Sequence, residues 1–260
     1  MDTLIRLTCG RALSLRPLPS EVDLADGISE RDSVVAAFAE QFAIDVTEIG
    51  DLQRKQLFKA LAGENAIRAV MAIFIADFVP RVWAGCEALG MGRPGNGTDI
   101  AWDHEADPAD VLLNGFVPAV ARMDNLDPLT TEVVRLRGAS QHNCRLCKSL
   151  RNTTALQSGG SESLYSEIES FETSQRLTDR HKAALRYVDA LIISPSRIDT
   201  QVAAEVRRQF SEAEAFELTL DVMRNATNKI AVSLAADAPR VADGTEEYSI
   251  DADGQMVYAS

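Results

Sequence analysis

The side chains best suited to chemistry lie in one stretch, Glu132 to Arg151, where Cys144 and Cys147 stand three positions apart. Two thiols at that spacing can close a disulfide or share a metal ion. Glu132 lies twelve residues before Cys144, on a helix expected to end near Gly138-Ala139-Ser140, and a turn there returns its carboxylate to the thiols. Arg151 follows Cys147 by four residues, which on a helix sets its guanidinium one turn above the second sulfur and on the same face. His142, two residues before Cys144, is the nearest imidazole and a candidate base, against the plainer reading of a solvated side chain beside a turn. Arg135, Arg137, Arg145, Lys148 and Arg151 gather around the pair, and such charge favours thiolate over thiol. Arg137 is also the candidate partner that would hold Glu132 ionised, although a carboxylate near a helix start suits the helix dipole without further purpose.

Metal binding is the weaker reading of the thiols. Zinc takes about four ligands, and no second CxxC or HxxxH accompanies this one; His104 and His181 are isolated. A thioredoxin fold is disfavoured, because the surrounding pattern is helical with no βαβ unit. Cys9 and Cys86 stand alone and read as small core hydrophobes.

The elements that must position these residues are helices. Ser29 caps a helix running to Ala43, with Val35, Phe38, Ala39 and Phe42 as its apolar stripe, after an irregular leader containing Pro17 and Pro19. Helices follow over Asp51 to Leu61 and Glu64 to Leu89, the second expected to kink or divide at Pro80. Gly90 to Asp99 is glycine-rich and reads as a mobile connector. Asp107-Pro108 and Asp127-Pro128 each pair a cap with proline at the first helical position. The dithiol helix is expected to continue to Gly159-Gly160, followed by helices over Ser161 to Phe171, Thr178 to Ile193, Asp199 to Phe210 and Glu212 to Ala236. On the last, Asn225, Asn228 and Lys229 read as a subunit contact or a solvated face. Alternation around Asp251-Ala252-Asp253-Gly254 predicts a hairpin over Tyr248 to Tyr258.

An internal repeat aligns residues 29 to 89 with 178 to 236 at an offset of about 149, matching Arg31 with Arg180, Phe38 with Tyr187, Glu40 with Asp189 and Phe42 with Leu191. With a shift of one, Arg81-Val82 falls on Lys229-Ile230. The expected organisation is a degenerate helical half over 1–98, a dithiol half over 99–240 and a tail over 241–260.

Apolar residues make up 46% of the 260, enough for a substantial core, and four cysteines in a reducing compartment are no disulfide scaffold. The formal net charge of −13 argues against a nucleic-acid partner, since phosphate binding needs an electropositive face. The best apolar run, Ala66 to Val79, is interrupted by Arg68 and Asp77, so no membrane span is expected. The first residues lack the apolar core of a secretion signal, and the expected compartment is the cytoplasm.

Glu132, Cys144-x-x-Cys147 twelve residues on, the TDRHKAALRYVDAL helix and the VMRNATNKIAVSLA helix together resemble the alkylhydroperoxidase D and carboxymuconolactone decarboxylase family, over roughly residues 108 to 236. The resemblance implies an all-α fold, homo-oligomeric assembly, no bound cofactor, and peroxide reduction by the dithiol. It casts Cys147 as the thiol that attacks the peroxide, Cys144 as its more exposed resolving partner, and Glu132 as part of a proton relay. An external dithiol or thioredoxin-like partner would be the reductant. The family pattern CxxCxxxH ends here in Arg151, and a guanidinium cannot pass a proton on as imidazole does. Two further expectations follow: a redox-sensing or scaffold homologue without catalysis, and a decarboxylase-like enzyme, which the CxxC disfavours.

Overall fold

The computed structural model describes residues 1–20, 27–94 and 106–259. The first half comprises α1 (Asp2–Leu13), α2 (Glu30–Ile44), α3 (Asp51–Leu61) and α4 (Glu64–Ala88). A π-turn, Val111–Phe116, joins α5 (Pro108–Asp110) to α6 (Val117–Ala121). Then come α7 (Pro128–Gln141), α8 (Arg145–Lys148), β1 (Leu150–Asn152), α9 (Thr153–Gln157) and α10 (Glu162–Tyr165). The chain ends with α11 (Asp179–Ile193), α12 (Thr200–Gln209), α13 (Glu212–Ala226), α14 (Asn228–Ser233), β2 (Glu246–Ile250) and β3 (Met256–Tyr258). The architecture is predominantly helical with one small sheet.

Helix starts follow local chemistry closely. Ser29, Asp127, Thr178, Asp199 and Ser211 each accept a backbone N–H from the first turn of the helix they precede. Five expectations need correction, the first being the helix over Ser161 to Phe171, of which only Glu162–Tyr165 is helical before the chain turns. The leader is not irregular, for α1 buries Leu4, Ile5, Cys9 and Leu13. Pro80 does not divide α4, which runs unbroken through it. The dithiol helix stops at Lys148 instead of reaching Gly159, and the chain turns extended. Finally, the helix over Glu212 to Ala236 breaks at Thr227. The hairpin is present as β2 and β3, but β2 also pairs in parallel with β1, giving a sheet in the order β1-β2-β3. Gly254 at the hairpin turn has φ +81°, and a Cβ there would collide with the Pro118 backbone, so the turn lies directly on α6. The expected boundary at residue 98/99, half of the connector and His104 lie outside the described residues.

Elements follow one another at similar spacing in the two stretches that the sequence aligns. Segments beginning at residues 30, 46, 51 and 64 recur as segments beginning at 179, 195, 200 and 212, each 148 or 149 residues on. Contacts between the halves are reciprocal. Arg54 of α3 donates to the Val232 and Ser233 carbonyls at the end of α14, while Arg207 of α12 donates to the Ala88 carbonyl at the end of α4. Carbonyls at a helix C-terminus lack the full set of intrahelical partners, and here an arginine from the other half adds a donor. At the centre Arg81 donates to Ala43 and to Leu191 and Ile192, bridging the C-terminal ends of α2 and α11. One core holds both halves, with Phe38, Phe42, Phe74 and Phe78 from the first and Tyr187, Leu191, Leu218 and Val222 from the second. Helix α4 is long and apolar enough to cross a membrane by length and composition, but 78% of its apolar window is buried inside this core.

Candidate redox site

Helix α7 ends at Gln141, and Asn143, in the left-handed region at φ 49°, turns the chain into the four residues of α8. Cys144 and Cys147 flank that turn and are joined as a disulfide, their Cα atoms 5.3 Å apart. Cys144 is fully buried and Cys147 half-buried. This reverses the expected exposure: the outer sulfur belongs to Cys147, because Cys144 sits at the end of the turn and packs into the core, while Cys147 follows on the outward part of α8. A four-residue helix also has little dipole to lend a thiolate.

Glu132 does return to the dithiol segment, through Arg135 and not Arg137. Both carboxylate oxygens accept from Arg135, at 2.6 and 2.8 Å, and the same guanidinium donates to the carbonyls of Cys147 at 2.8 Å and Leu150 at 2.7 Å. Asn152 N–H donates to the same carboxylate at 3.1 Å, and the Tyr248 hydroxyl lies 3.4 Å away. Glu132 is 1% exposed and fully engaged. Arg137 instead pairs with Asp189.

Arg151 does not stand above Cys147. It lies in β1, opposite Glu247, and its guanidinium holds Glu162 at 2.6 and 2.9 Å and the carbonyls of Lys148 and Leu150. Hydrogen bonding to Arg151 holds the Glu162 carboxyl below its ordinary range. The expected meeting of carboxylate, dithiol and Arg151 is therefore corrected: Arg135 is the cation that joins Glu132 to the dithiol segment. His142 is buried, not solvated, with Nδ1 2.8 Å from the Asn228 side-chain oxygen. Burial, aided by the charge of Lys229, pushes its imidazole well below the ordinary range, so it is neutral at pH 7.

The C-terminal segment grips the dithiol helix at both ends. Asp237 accepts the Arg145 N–H at 2.9 Å and its guanidinium, and the Asp237 carbonyl accepts the Leu146 N–H. Its carboxyl is held low chiefly by the Arg145 hydrogen bond. Beyond Lys148, β1 is fixed to β2 in the register Leu150 to Glu246 and Asn152 to Tyr248. Among the basic residues here, Arg135, Arg145 and Arg151 each face a carboxylate, whereas Lys148 holds the neutral Asn143 side chain.

A cavity of about 310 Å³ opens beside α8, lined by Ser140, Lys148, Arg151, Glu162, Tyr165 and Glu169 among others. Tyr165, which the sequence did not single out, is buried with its hydroxyl lacking a hydrogen-bond partner. Burial, then the Glu132 charge, lifts it to about 12.

A second cluster escaped sequence reading. Asp77, 0% exposed, accepts from Arg81 at 2.8 Å and Lys229 at 2.5 Å. Lys229 also faces the rings of Phe42 and Phe78, and burial lowers it to about 8 against the pull of Asp77. The Asn228 and Lys229 strip is thus interior, not a solvated face. The signal was present: Asp77 and Arg81 stand four apart in an otherwise apolar helix. Cys9 and Cys86 are buried free thiols, as expected.

A predominantly helical chain with two matching halves and a clasped CxxC is the class that fold and site define. The chain is 58% identical over 258 residues to the uncharacterized proteins MT2376 and Rv2313c of two Mycobacterium tuberculosis strains, covering 98% of this chain and 90% of each relative. It belongs to their family. No family model and no solved structure matches it.

Proposed function

We propose that the protein is a dithiol-disulfide oxidoreductase that reduces peroxides with Cys147 and Cys144. The observation that carries this reading is the pairing itself, with the Cys144 sulfur buried and Cys147 half-buried on the outer side of the turn. The half-buried Cys147 thiolate attacks one peroxide oxygen and breaks the O–O bond, giving a sulfenic acid, while the alkoxide takes a proton and leaves as alcohol. The Cys144 thiolate then displaces water from that sulfenic acid, taking up one proton and forming the disulfide. An external dithiol restores both thiols by exchange. Asn143 is neutral, so Lys148 brings positive charge to this segment that no ion pair among the described residues offsets.

The test is peroxide consumption by the full chain with dithiothreitol as reductant. The proposal predicts turnover that Cys147→Ser abolishes; rates equal in the two proteins would remove it. One observation favours a second reading, a redox sensor without turnover: Glu132 and His142 are both occupied by structural partners, leaving neither free to shuttle protons. Under that reading mild oxidation closes the disulfide but dithiothreitol supports no peroxide consumption.

A further inference from the structure

A groove of about 550 Å³ lies apart from the dithiol segment and is built by α1, α2, α3, α4, α5 and the start of the π-turn. Its size is in the range of small-ligand sites, roughly 300–1,000 Å³. Ile5, Leu18, Leu61 and Ile75 form an apolar wall. Three arginines, Arg6, Arg31 and Arg68, border the same space. Asp2 is the acidic side chain among its described lining residues, so the groove is a basic place on a chain of net charge −13. Arg6 is committed to the Pro19 carbonyl, which holds the segment after α1 in place. Arg68 lies 3.8 Å from Asp107, in an exposed and therefore weak pair. Arg31 is exposed and has no ion pair among the described residues. Guanidinium groups beside an aliphatic wall match a ligand with an anionic head and an apolar tail. The described lining contains no Phe, Tyr or Trp, which argues for an alkyl chain over a ring to be stacked.

We infer that this groove binds a long-chain aliphatic carboxylate, its chain along the wall of α1, α3 and α4 and its head at Arg31 and Arg68. The site takes no part in the thiol chemistry. Its ligand is a free acid of low dielectric preference at one end and charge at the other, so affinity depends on both halves of the molecule.

The experiment is a titration of the full chain with cis-parinaric acid, followed by displacement with palmitate and with hexadecanol. Palmitate is expected to displace the probe, and hexadecanol, which lacks the charge, about tenfold less well. The double change Arg31→Ala with Arg68→Ala is expected to weaken palmitate by about tenfold or more. Ala72→Trp, which fills the groove from a half-buried position on α4, is expected to abolish binding, with circular dichroism showing that the variant is folded. Cys147→Ser should bind as the parent does. Displacement equal for acid and alcohol, binding that survives Ala72→Trp, or no displaceable binding at all would each overturn the inference. So would association with phosphatidylglycerol vesicles in the absence of any affinity for free palmitate.

Discussion

At the scale of single residues, charge is assigned by hydrogen-bond partners more than by sequence distance. Glu132 and Arg135 are three apart on α7, so their side chains meet on one helix face, and that local pair takes priority over the more distant Arg137 and Arg151. Arg151→His is therefore expected to leave peroxide consumption unimproved. It would cost about 1 kcal/mol of stability, chiefly through the Lys148 carbonyl, since Leu150 keeps its bond from Arg135 and Glu162 is open to solvent, and chemical denaturation measures it. Asp221 supplies a pH test. Burial, opposed by Arg224, lifts its carboxyl to about 7, against about 3.9 in an unfolded chain. Between those values the folded state holds the extra proton, so this group's contribution to stability falls as pH rises from about 4 to about 7. His142 acts in the opposite sense: its depressed folded value means that stability is lost as pH falls below about 6.5. Asp221→Asn removes the first slope, and denaturation midpoints of that variant should drop more steeply on acidification than those of the parent.

Among the elements, those with local start signals were legible. Ser29 and Asp127 announce α2 and α7, because a cap hydrogen bond depends only on the next three residues. The dithiol stretch was not legible past Lys148. There Leu150 to Asn152 become extended by pairing with Glu246 to Tyr248, almost a hundred residues away, and no window around the cysteines contains that information. The carboxylate at position 132 and the thiols could be matched by spacing, but their linkage through Arg135 depends on where the chain turns. The exposure order of the two sulfurs was equally hidden, since it is set by packing of the turn against the core. Asp237 brings the tail's influence to a test. Asp237→Asn removes a negative charge from the start of α8, and the reduced protein should then alkylate with iodoacetamide a few-fold faster at pH 7. A rate unchanged or slower would mean that this carboxylate does not reach the thiols electrostatically.

For the molecule as a whole, the two halves are fastened by polar contacts that cross between them. Arg81 and Lys229, matched by the sequence repeat, converge on the single carboxylate of Asp77, and Arg54 and Arg207 exchange caps between halves. The repeat could be read from sequence as aligned apolar positions, but not as an interface, because which cation meets which carboxylate depends on how the halves are placed. Asp77→Asn leaves two buried cations short of a counter-charge and should cost about 3–5 kcal/mol by chemical denaturation. A loss under 1 kcal/mol would show that the halves do not depend on this charge. Where α4 crosses α11, a Cβ on Gly85 would strike the Tyr187 hydroxyl, so this close approach has no room for a larger residue.

The central claim is that Cys147 is the sulfur that meets the oxidant and Cys144 the one that resolves it. The most direct test is mass spectrometry of reduced Cys144→Ser protein treated with one equivalent of an alkyl hydroperoxide in the presence of dimedone, which captures sulfenic acid. The account predicts a dimedone adduct on Cys147, formed faster than on a free cysteine peptide. The absence of an adduct on Cys147, or one that forms no faster than on the free peptide, would contradict it.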